Sequence, residues 1–368
     1  MKLRNNIVSV VASILLGVVM SFQVYASTTL KIQAAVPEKS DDFEMLERFA
    51  DTVKTLTGGE VVLDIMPSGK MVKPKEIIDA VSSGTVDGGF AWTHYWSNKH
   101  PAAMLFGAPI AGSGVGIDNF AFMSWFNNGG GKELYEEMWK EMGLNIKGMF
   151  ILMAGPEALG WFKEPINSMD DFKKYRFRTP PGIPGQVYQN LGITSVPMPG
   201  GEIFSALENK VIEAAEWCCP KPDSEFGFQK VLKHYYLQGL HQVVVNGDIY
   251  FNGDKWNKLT LSQQQIIEAA ADATIMRNLT KRIYDNGVAL EDLVNNQGVI
   301  LHDTPKDYFA AFMNEAKNVL ESEASKNAFF NKVWQSQKDF AKIAVPYWAE
   351  AQTSNASLGK AYANSLKK

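Results

Sequence analysis

Cysteine is nearly absent from this chain of 368 residues, which holds two, at the adjacent positions Cys218 and Cys219. Neighbouring cysteines cannot cross-link distant segments, so a framework of disulfides that holds the fold together is excluded. Two interpretations are open for the pair. It is a vicinal disulfide or thiol pair with a function, or it is two small apolar residues buried in a core strand. The second is the interpretation we prefer.

An excess of positive charge is also lacking, because 36 lysines and arginines stand against 40 aspartates and glutamates, a formal net charge of -4. Proteins that bind nucleic acid carry a basic patch or stripe. We therefore expect no nucleic-acid partner. An anionic ligand would have to be held by a few local positive groups.

Long apolar runs are missing after the N-terminus. There, Lys2 and Arg4 precede an apolar stretch at 7–19, and residues 24–26 meet the small-residue rule for cleavage. Together these features are typical of an export signal at 1–26. The apolar stretch is shorter than the ~20 residues that a membrane-spanning helix needs. We expect a periplasmic protein released from this signal peptide, with an uncleaved N-terminal anchor as the alternative.

Catalytic motifs are missing as well. The sequence has no P-loop, no dinucleotide-binding glycine pattern after a strand, no HExxH and no GxSxG. The three glycines at 129–131 lack the lysine and hydroxyl residue of a phosphate loop, so we interpret them as a turn that ends a helix. We expect neither an enzyme nor a catalytic cofactor. An exported enzyme that acts on carboxylates stays open as the alternative.

What the sequence does contain is an alternation of strand and helix patterns. The alternation predicts an α/β protein with mixed, largely parallel sheets. The predicted strands are 30–35, 61–65, one that ends at 90–92, 145–153, 214–218 and 243–251. The predicted helices are 41–56, 75–83, 131–142, 184–191, 202–209, 262–297, 306–326 and 330–344, and a loop rich in aromatics and glycine is expected at 93–113.

Two lobes are expected, because about 340 mature residues exceed what one hydrophobic core supports. We place lobe I at 27–155 and lobe II at 156–242, with a contribution to both lobes from 243–368. The strand at 243–251 would return to lobe I. The helix at 262–297 is longer than most helices of globular proteins and would span both lobes.

Five segments carry a family resemblance over essentially the whole mature chain: MPSGKMVKPKEIIDAVSSGTVDGGFAWTHYW, KHPAAMLFGAPI, GPEALGWFKEPINSMDDFKKYRFRTPPG, NKVIEAAEWCCP and VNGDIYFNGDKWNKLTLSQQQ. In their order and spacing they resemble the DctP-type substrate-binding subunit of tripartite ATP-independent periplasmic (TRAP) transporters. The resemblance is strongest to the branch that binds 2-oxo and 2-hydroxy monocarboxylates.

The resemblance implies a two-lobed protein that closes on a small organic acid and delivers it to two membrane subunits driven by an ion gradient. It also implies a homodimer built through C-terminal helices, and the aromatic, helical pattern at 340–351 agrees with that. Two alternatives stay open. The chain could serve an ATP-driven importer, or its ligand could be a sugar acid, a sulfonate or an aromatic acid.

Arg178 is the candidate anchor for the ligand's carboxylate. It ends a predicted strand at 175–178, and open α/β sheets place ligands at such strand ends. The guanidinium group is a fixed, charged fork that suits a carboxylate. The resemblance places the carboxylate-binding arginine of the family at this position. Arg176, two residues earlier on the same face, is the rival.

The resemblance further implies a Ca²⁺ or Na⁺ ion that bridges the ligand, held in the family partly by the glutamate and the backbone oxygen of a Glu-Trp pair, here Glu216 and Trp217. Glu157 stands where relatives have glutamine, and Gln242 stands where they have an acid. Compared with the relatives, one negative charge has moved from position 242 to position 157 across the cleft. Both residues still offer oxygen donors for a cation site. These four residues are the candidate cation ligands. Alternatively, Glu157 bonds the ligand directly or pairs with Arg178.

Aromatic residues follow the strand that ends at 90–92. Trp92 and Tyr95 are the candidates for an apolar cover over the ligand with a polar tip, and Gln242 and Glu157 would complete the contacts on the polar side. Trp96 is the weaker candidate of its segment. Trp161 and Phe162 are expected to pack beneath the site.

Overall fold

The computed structural model describes residues 27–180, 182–198 and 200–366, and the expected signal peptide at 1–26 lies outside them. Two β-sheets, each packed against helices, form two lobes joined by long helices. This architecture confirms the predicted two-lobed α/β class. Within the described ranges, no helix is long and apolar enough to cross a membrane.

Lobe I is built on a five-stranded mixed sheet. Its strands are β1 (Thr28–Ala34), β2 (Val61–Met66), β3 (Gly88–Trp92), β4 (Ile146–Ala154) and β10 (Val245–Asn252). They lie in the order β2-β1-β3-β10-β4. The first three are parallel to one another, whereas β10 runs antiparallel to β3 and β4. β10 is buried along its whole length, since it lies between β3 and β4.

Five helices surround this sheet: α1 (Asp41–Leu56), α2 (Ile77–Ser83), α3 (Ala103–Gly107), α4 (Asn119–Asn128) and α5 (Gly131–Glu141). α1 begins where the Ser40 hydroxyl accepts the N–H of Phe43, a side-chain cap that satisfies one of the free donors of the first turn. Its apolar residues recur at helical spacing and are buried against the sheet. α2 ends at Gly84, whose φ of 79° is the left-handed conformation that glycine adopts readily.

Lobe II is built on a six-stranded mixed sheet. Its strands are β5 (Gly160–Phe162), β6 (Arg176–Thr179), β7 (Thr194–Pro197), β8 (Ala214–Ala215), β9 (His234–Tyr236) and β11 (Ile300–His302), in the order β11-β9-β5-β8-β6-β7. Four short helices belong to it: α6 (Met169–Phe172), α7 (Ile183–Asn190), α8 (Gly200–Glu208) and α9 (Pro220–Phe226).

The remaining helices are α10 (Gly253–Trp256), α11 (Leu261–Asn295), α12 (Lys306–Lys326) and α13 (Ala328–Ser365). α11 begins with a capping box between Thr260 and Gln263, the signal that predicts a helix start there. Its first half contributes Ile267 and Ala270 to the core around the first sheet. Its second half contributes Leu293 to a core of lobe II, so this helix packs on both lobes.

Three predicted elements differ from the structure. The expected loop at 93–113 contains α3 and two 3₁₀ helices, Thr93–Trp96 and Ile110–Gly112, because this segment is largely buried and its backbone must find hydrogen bonds. The expected strand at 214–218 is reduced to β8. The last helix, predicted to end at 344, continues to Ser365.

The cysteine pair also departs from the preferred interpretation. Cys218 and Cys219 are both buried, but the strand has already ended at Ala215, and the two sulfurs are joined as a vicinal disulfide. The strand ends early because the N–H of Cys218 donates to a carboxylate oxygen of Asp223 over 2.9 Å. The Cys218 carbonyl accepts the N–H of Ala158 over 2.7 Å, a contact with the segment that enters lobe II.

Candidate ligand-binding site

Two chain segments cross between the lobes and lie side by side. Residues 155–159 lead from β4 to β5, and residues 237–244 lead from β9 back to β10. The N–H of Glu157 donates to the carbonyl of Gln242 over 3.0 Å, and both residues are buried. The chain crossings therefore place these two predicted site residues together at the junction of the lobes.

Arg178 lies in β6, and its guanidinium is almost completely buried. Nε and Nη2 donate to the carbonyl of Met198 over 3.2 and 3.0 Å, and Nη1 donates to the carbonyl of Glu216 over 2.9 Å and to its carboxylate. A guanidinium has five N–H donors. Among the residues that the structure describes, the second hydrogen of Nη2 has no acceptor, so a rigidly held arginine keeps one donor for a ligand.

The rival arginine lies at the other end of the same strand. Arg176 is exposed, donates to the carbonyl of Lys210 over 2.7 Å and forms an ion pair with Glu213 at 3.2 Å. Ion pairs of this kind at the surface contribute little to the stability of the fold. The structure thus brings Arg178, and not Arg176, into the cluster of predicted site residues.

His241 lies between the two carboxyl groups. Its Nε2 is 3.3 Å from Oε2 of Glu216 and 3.8 Å from Oε2 of Glu157, while Nδ1 is 3.2 Å from the hydroxyl of Tyr188. The side-chain donor atoms of His241 and the two glutamates all lie within 4.8 Å of one another. Three metal-ligating groups therefore converge on one buried point.

The two glutamates have opposite pKa shifts. Burial raises the pKa of Glu157 well above its usual value, and the nearby carboxyls of Glu216 and Asp223 raise it further. Burial also acts to raise the pKa of Glu216, but the charge of Arg178 and the hydrogen bond from His241 outweigh it and lower that pKa. Glu216 is thus the ionised partner of the arginine. Glu157 has no such partner among the described residues, and burial keeps its pKa above that of an exposed glutamate.

The donor set fits a cation. Oε2 of Glu157 is buried and has no hydrogen-bond partner among the described residues, an arrangement that costs free energy unless another group satisfies the oxygen. Carboxylate oxygens are the preferred ligands of Ca²⁺, and imidazole is a ligand for transition metals. A bound cation would also offset the negative charge that an acidic ligand brings next to Glu216.

Trp217 supports the arginine from one side. The guanidinium carbon of Arg178 lies 5.4 Å from the centre of the Trp217 ring, within the range of a cation–π contact. Gly200, at the start of α8, also lies against the ring, and an added Cβ there would come within 2.5 Å of it. A larger residue at position 200 would push the indole out of this position.

Trp92 and Tyr95 lie on lobe I. Trp92 ends β3, Tyr95 is in the following turn, and their ring centres are 5.2 Å apart. Burial raises the pKa of Tyr95 to about 12, the charge of Arg178 acts against that rise, and Asp42 and Glu157 add to it. The phenol is therefore within electrostatic reach of the charged groups of lobe II.

The other aromatic candidates are structural. Trp96 is buried and donates to the hydroxyl of Tyr250 over 3.1 Å. Trp161 donates to the carboxylate of Asp223 over 2.8 Å, and Phe162 is in the hydrophobic core. The burial of Trp161 and Phe162 agrees with the expectation that these two residues pack beneath the site.

The comparisons with known proteins agree with one another on the family. The family model DctP, described as bacterial extracellular solute-binding protein, family 7, matches residues 32–327. The chain belongs to this family. The resemblance to TRAP binding subunits is thereby confirmed, and the DctP family is one of solute-binding proteins.

One relative and two solved structures are similar to this DctP-family chain over most of its length. A monocarboxylate 2-oxoacid-binding periplasmic protein of Nostoc sp. is 31% identical over 309 residues, 83% of this chain and 82% of the relative. A TRAP solute-binding protein from Bordetella bronchiseptica, a mixed-occupancy dimer with calcium and picolinate, is 26% identical with a TM-score of 0.84. The matched region covers 92% of this chain and 98% of the Bordetella chain.

The second structure is a TRAP periplasmic solute-binding protein from Colwellia psychrerythraea with bound calcium and pyruvate. It is 26% identical to this DctP-family chain with a TM-score of 0.80, and it covers 91% of this chain and 99% of its own. Both solved relatives thus hold a calcium ion together with a carboxylate ligand.

Two residues of the cluster in this DctP-family chain were not predicted. His241 directly precedes the predicted Gln242, and that adjacency was the one signal that could have suggested it. Asp223 accepts from Trp161, Tyr235 and the N–H of Cys218, and burial raises its pKa to about 7. No pattern in the sequence points to this buried support beneath the Glu216–Trp217 segment.

Proposed function

We propose that this chain is a periplasmic binding protein that captures a small 2-oxo or 2-hydroxy monocarboxylate, delivers it to the membrane subunits of a TRAP transporter, and catalyses no reaction. The observation that carries the proposal is the rigid, buried guanidinium of Arg178 beside the Glu157–Glu216–His241 cluster, in which one Nη2 hydrogen has no acceptor among the described residues. The name of the Nostoc relative and the pyruvate in the Colwellia structure support this ligand class.

In this proposal, Arg178 binds the ligand's carboxylate, and a Ca²⁺ or Na⁺ ion bridges the ligand to the protein. Glu216 and Glu157 would hold the ion with the backbone oxygen of Trp217 and the amide of Gln242, and His241 is the added donor. A bound cation stabilises the negative charge on both sides of it. A carboxyl that ligates an ion must be deprotonated, so a bound cation would act against the raised pKa of Glu157.

Closure of the two lobes would complete the site. We propose the boundaries 27–155 for lobe I and 156–242 for lobe II, with 243–368 shared between them and the helix at 262–297 common to both. The adjacent crossings at Glu157 and Gln242 support this division, because a hinge needs chain segments that pass between the lobes at one place. Trp92 and Tyr95 would then cover the tail of the ligand.

The C-terminal helix supports a homodimer. Four large apolar residues of α13 are strongly exposed, Ile343, Tyr347, Leu358 and Tyr362, at 67% to 82%. At 100° per residue they fall within about 100° of the helix circumference, so they form one apolar stripe. Such a stripe fits a second copy of the chain, and the Bordetella relative is a dimer.

Calorimetric titration tests the ligand. We expect pyruvate or a related 2-oxo acid to bind the purified protein in calcium or sodium, with at least about tenfold weaker binding in a chelator. Glu216→Gln should abolish the cation dependence. Nuclear magnetic resonance of the acid after incubation should show it unchanged. Failure to bind any 2-oxo or 2-hydroxy acid, or conversion of the acid, would contradict the proposal.

Location and assembly have their own tests. The mature protein recovered from the periplasm should begin at Ser27 by mass spectrometry. Sedimentation should give a dimer for the full chain and a monomer for a chain that ends after Glu350, since the truncation removes Leu358 and Tyr362. A mature protein that still carries residues 1–26 would contradict the cleavage, and a monomeric full chain would contradict the homodimer. Neither result would bear on the proposed ligand.

A further inference from the structure

Arg282 lies in α11 and contacts both lobes with one guanidinium group. Its Nη1 is 3.3 Å from Oδ1 of Asp42. Its Nη2 is 3.2 Å from the sulfur of Cys218 and 3.5 Å from the sulfur of Cys219. The two ends of the rigid fork thus point at partners that are far apart in the sequence.

The partners belong to different lobes. Asp42 is in the first turn of α1, where Asp41 and Glu44 are also acidic, and α1 packs on the sheet of lobe I. The disulfide directly follows Glu216 and Trp217 of lobe II. Ala158 and Asp223 form hydrogen bonds with the backbone of Cys218. A displacement of the disulfide would therefore also displace the segment that carries the cation and carboxylate site.

Both charged side chains are largely enclosed in the present arrangement. Arg282 is 16% exposed and Asp42 is 20% exposed, so their attraction is screened less than that of a pair at the open surface. α11 packs on both lobes, but a planar guanidinium reaches only a few ångströms. If the lobes separate, Arg282 can stay in contact with Asp42 or with the disulfide, but not with both.

We propose that Arg282 is a positioning residue for ligand capture, because it ties Asp42 of lobe I to the vicinal disulfide of lobe II and so stabilises the closed arrangement. The proposal rests on the proposed function, in which closure around an acid forms the complete site. Arg282 itself does not need to touch the ligand. Its effect on affinity comes from the equilibrium between separated and closed lobes.

A double-mutant cycle tests the tie, with pyruvate in excess calcium as the probe. Arg282→Met and Asp42→Asn should each weaken pyruvate binding about tenfold. The double variant should bind no more weakly than Arg282→Met alone, since both changes break one contact. Small-angle scattering of the pyruvate-saturated protein should show a larger radius of gyration for Arg282→Met than for the wild type.

Lys281→Met is the matched control, because Lys281 is the neighbouring cation on α11 and pairs with Asp285 of the same helix. Its affinity should equal that of the wild type. Arg282→Lys keeps the charge but not the fork and should bind with an affinity between those of Arg282→Met and the wild type. Thermal unfolding without ligand identifies a variant that does not fold.

The outcomes separate the tie from the proposed function. If the wild type binds none of the acids, the proposed function fails. If the wild type binds pyruvate and folded Arg282→Met binds it equally well, or if the losses of the two single variants simply add, the tie is overturned and the proposed function stands.

Discussion

The two lobes both bury carboxyl groups next to the candidate site, but they treat them differently. In lobe II, Glu216 is paired with Arg178 and its pKa is lowered. In lobe I, Asp248 accepts hydrogen bonds from the hydroxyls of Thr93 and Tyr135, with no cation beside it in the described part of the chain, and burial raises its pKa to about 8. Lobe II thus holds an ion pair beside a second acid of raised pKa, Asp223, and lobe I holds the acid of raised pKa at Asp248.

This difference assigns separate tasks to the two lobes. Thr93 directly follows Trp92, so the neutral Asp248 fixes the turn that carries the aromatic candidates without adding charge. Charge in the site comes from the Arg178–Glu216 pair of lobe II. A hydrogen bond to a charged group is stronger than one between neutral groups, so lobe II should supply most of the affinity for an acid. The predictions below are ordered by their expected effect on that affinity.

The largest effect should come from lobe II. Arg178→Met removes the carboxylate anchor and leaves Glu216 buried without its partner, so we expect affinity for the acid to fall at least about 100-fold and stability to fall by about 3 kcal/mol or more. Calorimetry and thermal unfolding measure the two losses. Arg176→Met, on the same strand, should leave affinity unchanged. If Arg178→Met binds the acid about as tightly as the wild type, lobe II does not supply most of the affinity.

A smaller effect should come from the aromatic cover of lobe I. Tyr95→Phe keeps the ring and removes the hydroxyl, so affinity should fall about three- to tenfold, the range of one neutral hydrogen bond. Trp96→Phe is the comparison, because Trp96 is in the core: it should lower the melting temperature and leave affinity nearly unchanged. If Trp96→Phe weakens binding more than Tyr95→Phe, the aromatic cover is placed on the wrong residue.

The smallest effect on affinity should come from Asp248→Asn, which instead changes how stability depends on pH. The folded pKa of about 8 lies above the ordinary aspartate pKa of 3.8. Between these values the folded state keeps a proton that the unfolded chain releases, so rising pH destabilises the wild type by up to about 1.4 kcal/mol per pH unit through this group.

Denaturant unfolding at pH 5 and pH 7.5 measures the difference. Stability of the wild type should decrease more over this interval than that of Asp248→Asn, which has no proton to lose there. Below about pH 4 the contribution of this group should level off, because Asp248 is then protonated in both states. Equal pH dependence of the two proteins would show that Asp248 is ionised, and the contrast between the lobes would disappear.

Elements with a strong local signal were predicted well. α1 and α12 have the predicted bounds, and α11 differs from its prediction by a residue or two at each end, because helical spacing of apolar residues and side-chain caps lie within the segment itself. The short strand β8 was overestimated, since the backbone of Cys218 bonds to Asp223 rather than to a neighbouring strand. The local sequence around the strand does not reveal that competition.

The site was predictable as a set of residues and less so as a set of contacts. The resemblance brought Glu157, Glu216, Trp217, Arg178 and Gln242 to attention, and the structure places these residues at the lobe junction. Their binding roles remain predictions. The alternative in which Glu157 pairs with Arg178 is not what the structure shows, because the carboxylate of Glu216 occupies that side of the guanidinium.

The α/β class and the bounds of α1, α11 and α12 follow from the local sequence, since periodicity and caps act over a few neighbouring residues. Which carboxyl group meets Arg178, the place of His241 in the cluster, and the contact of Arg282 with Asp42 across 240 positions of the chain depend on the folded arrangement. The physical reason is that such contacts depend on how two lobes pack and cross, and packing is a property of the whole chain.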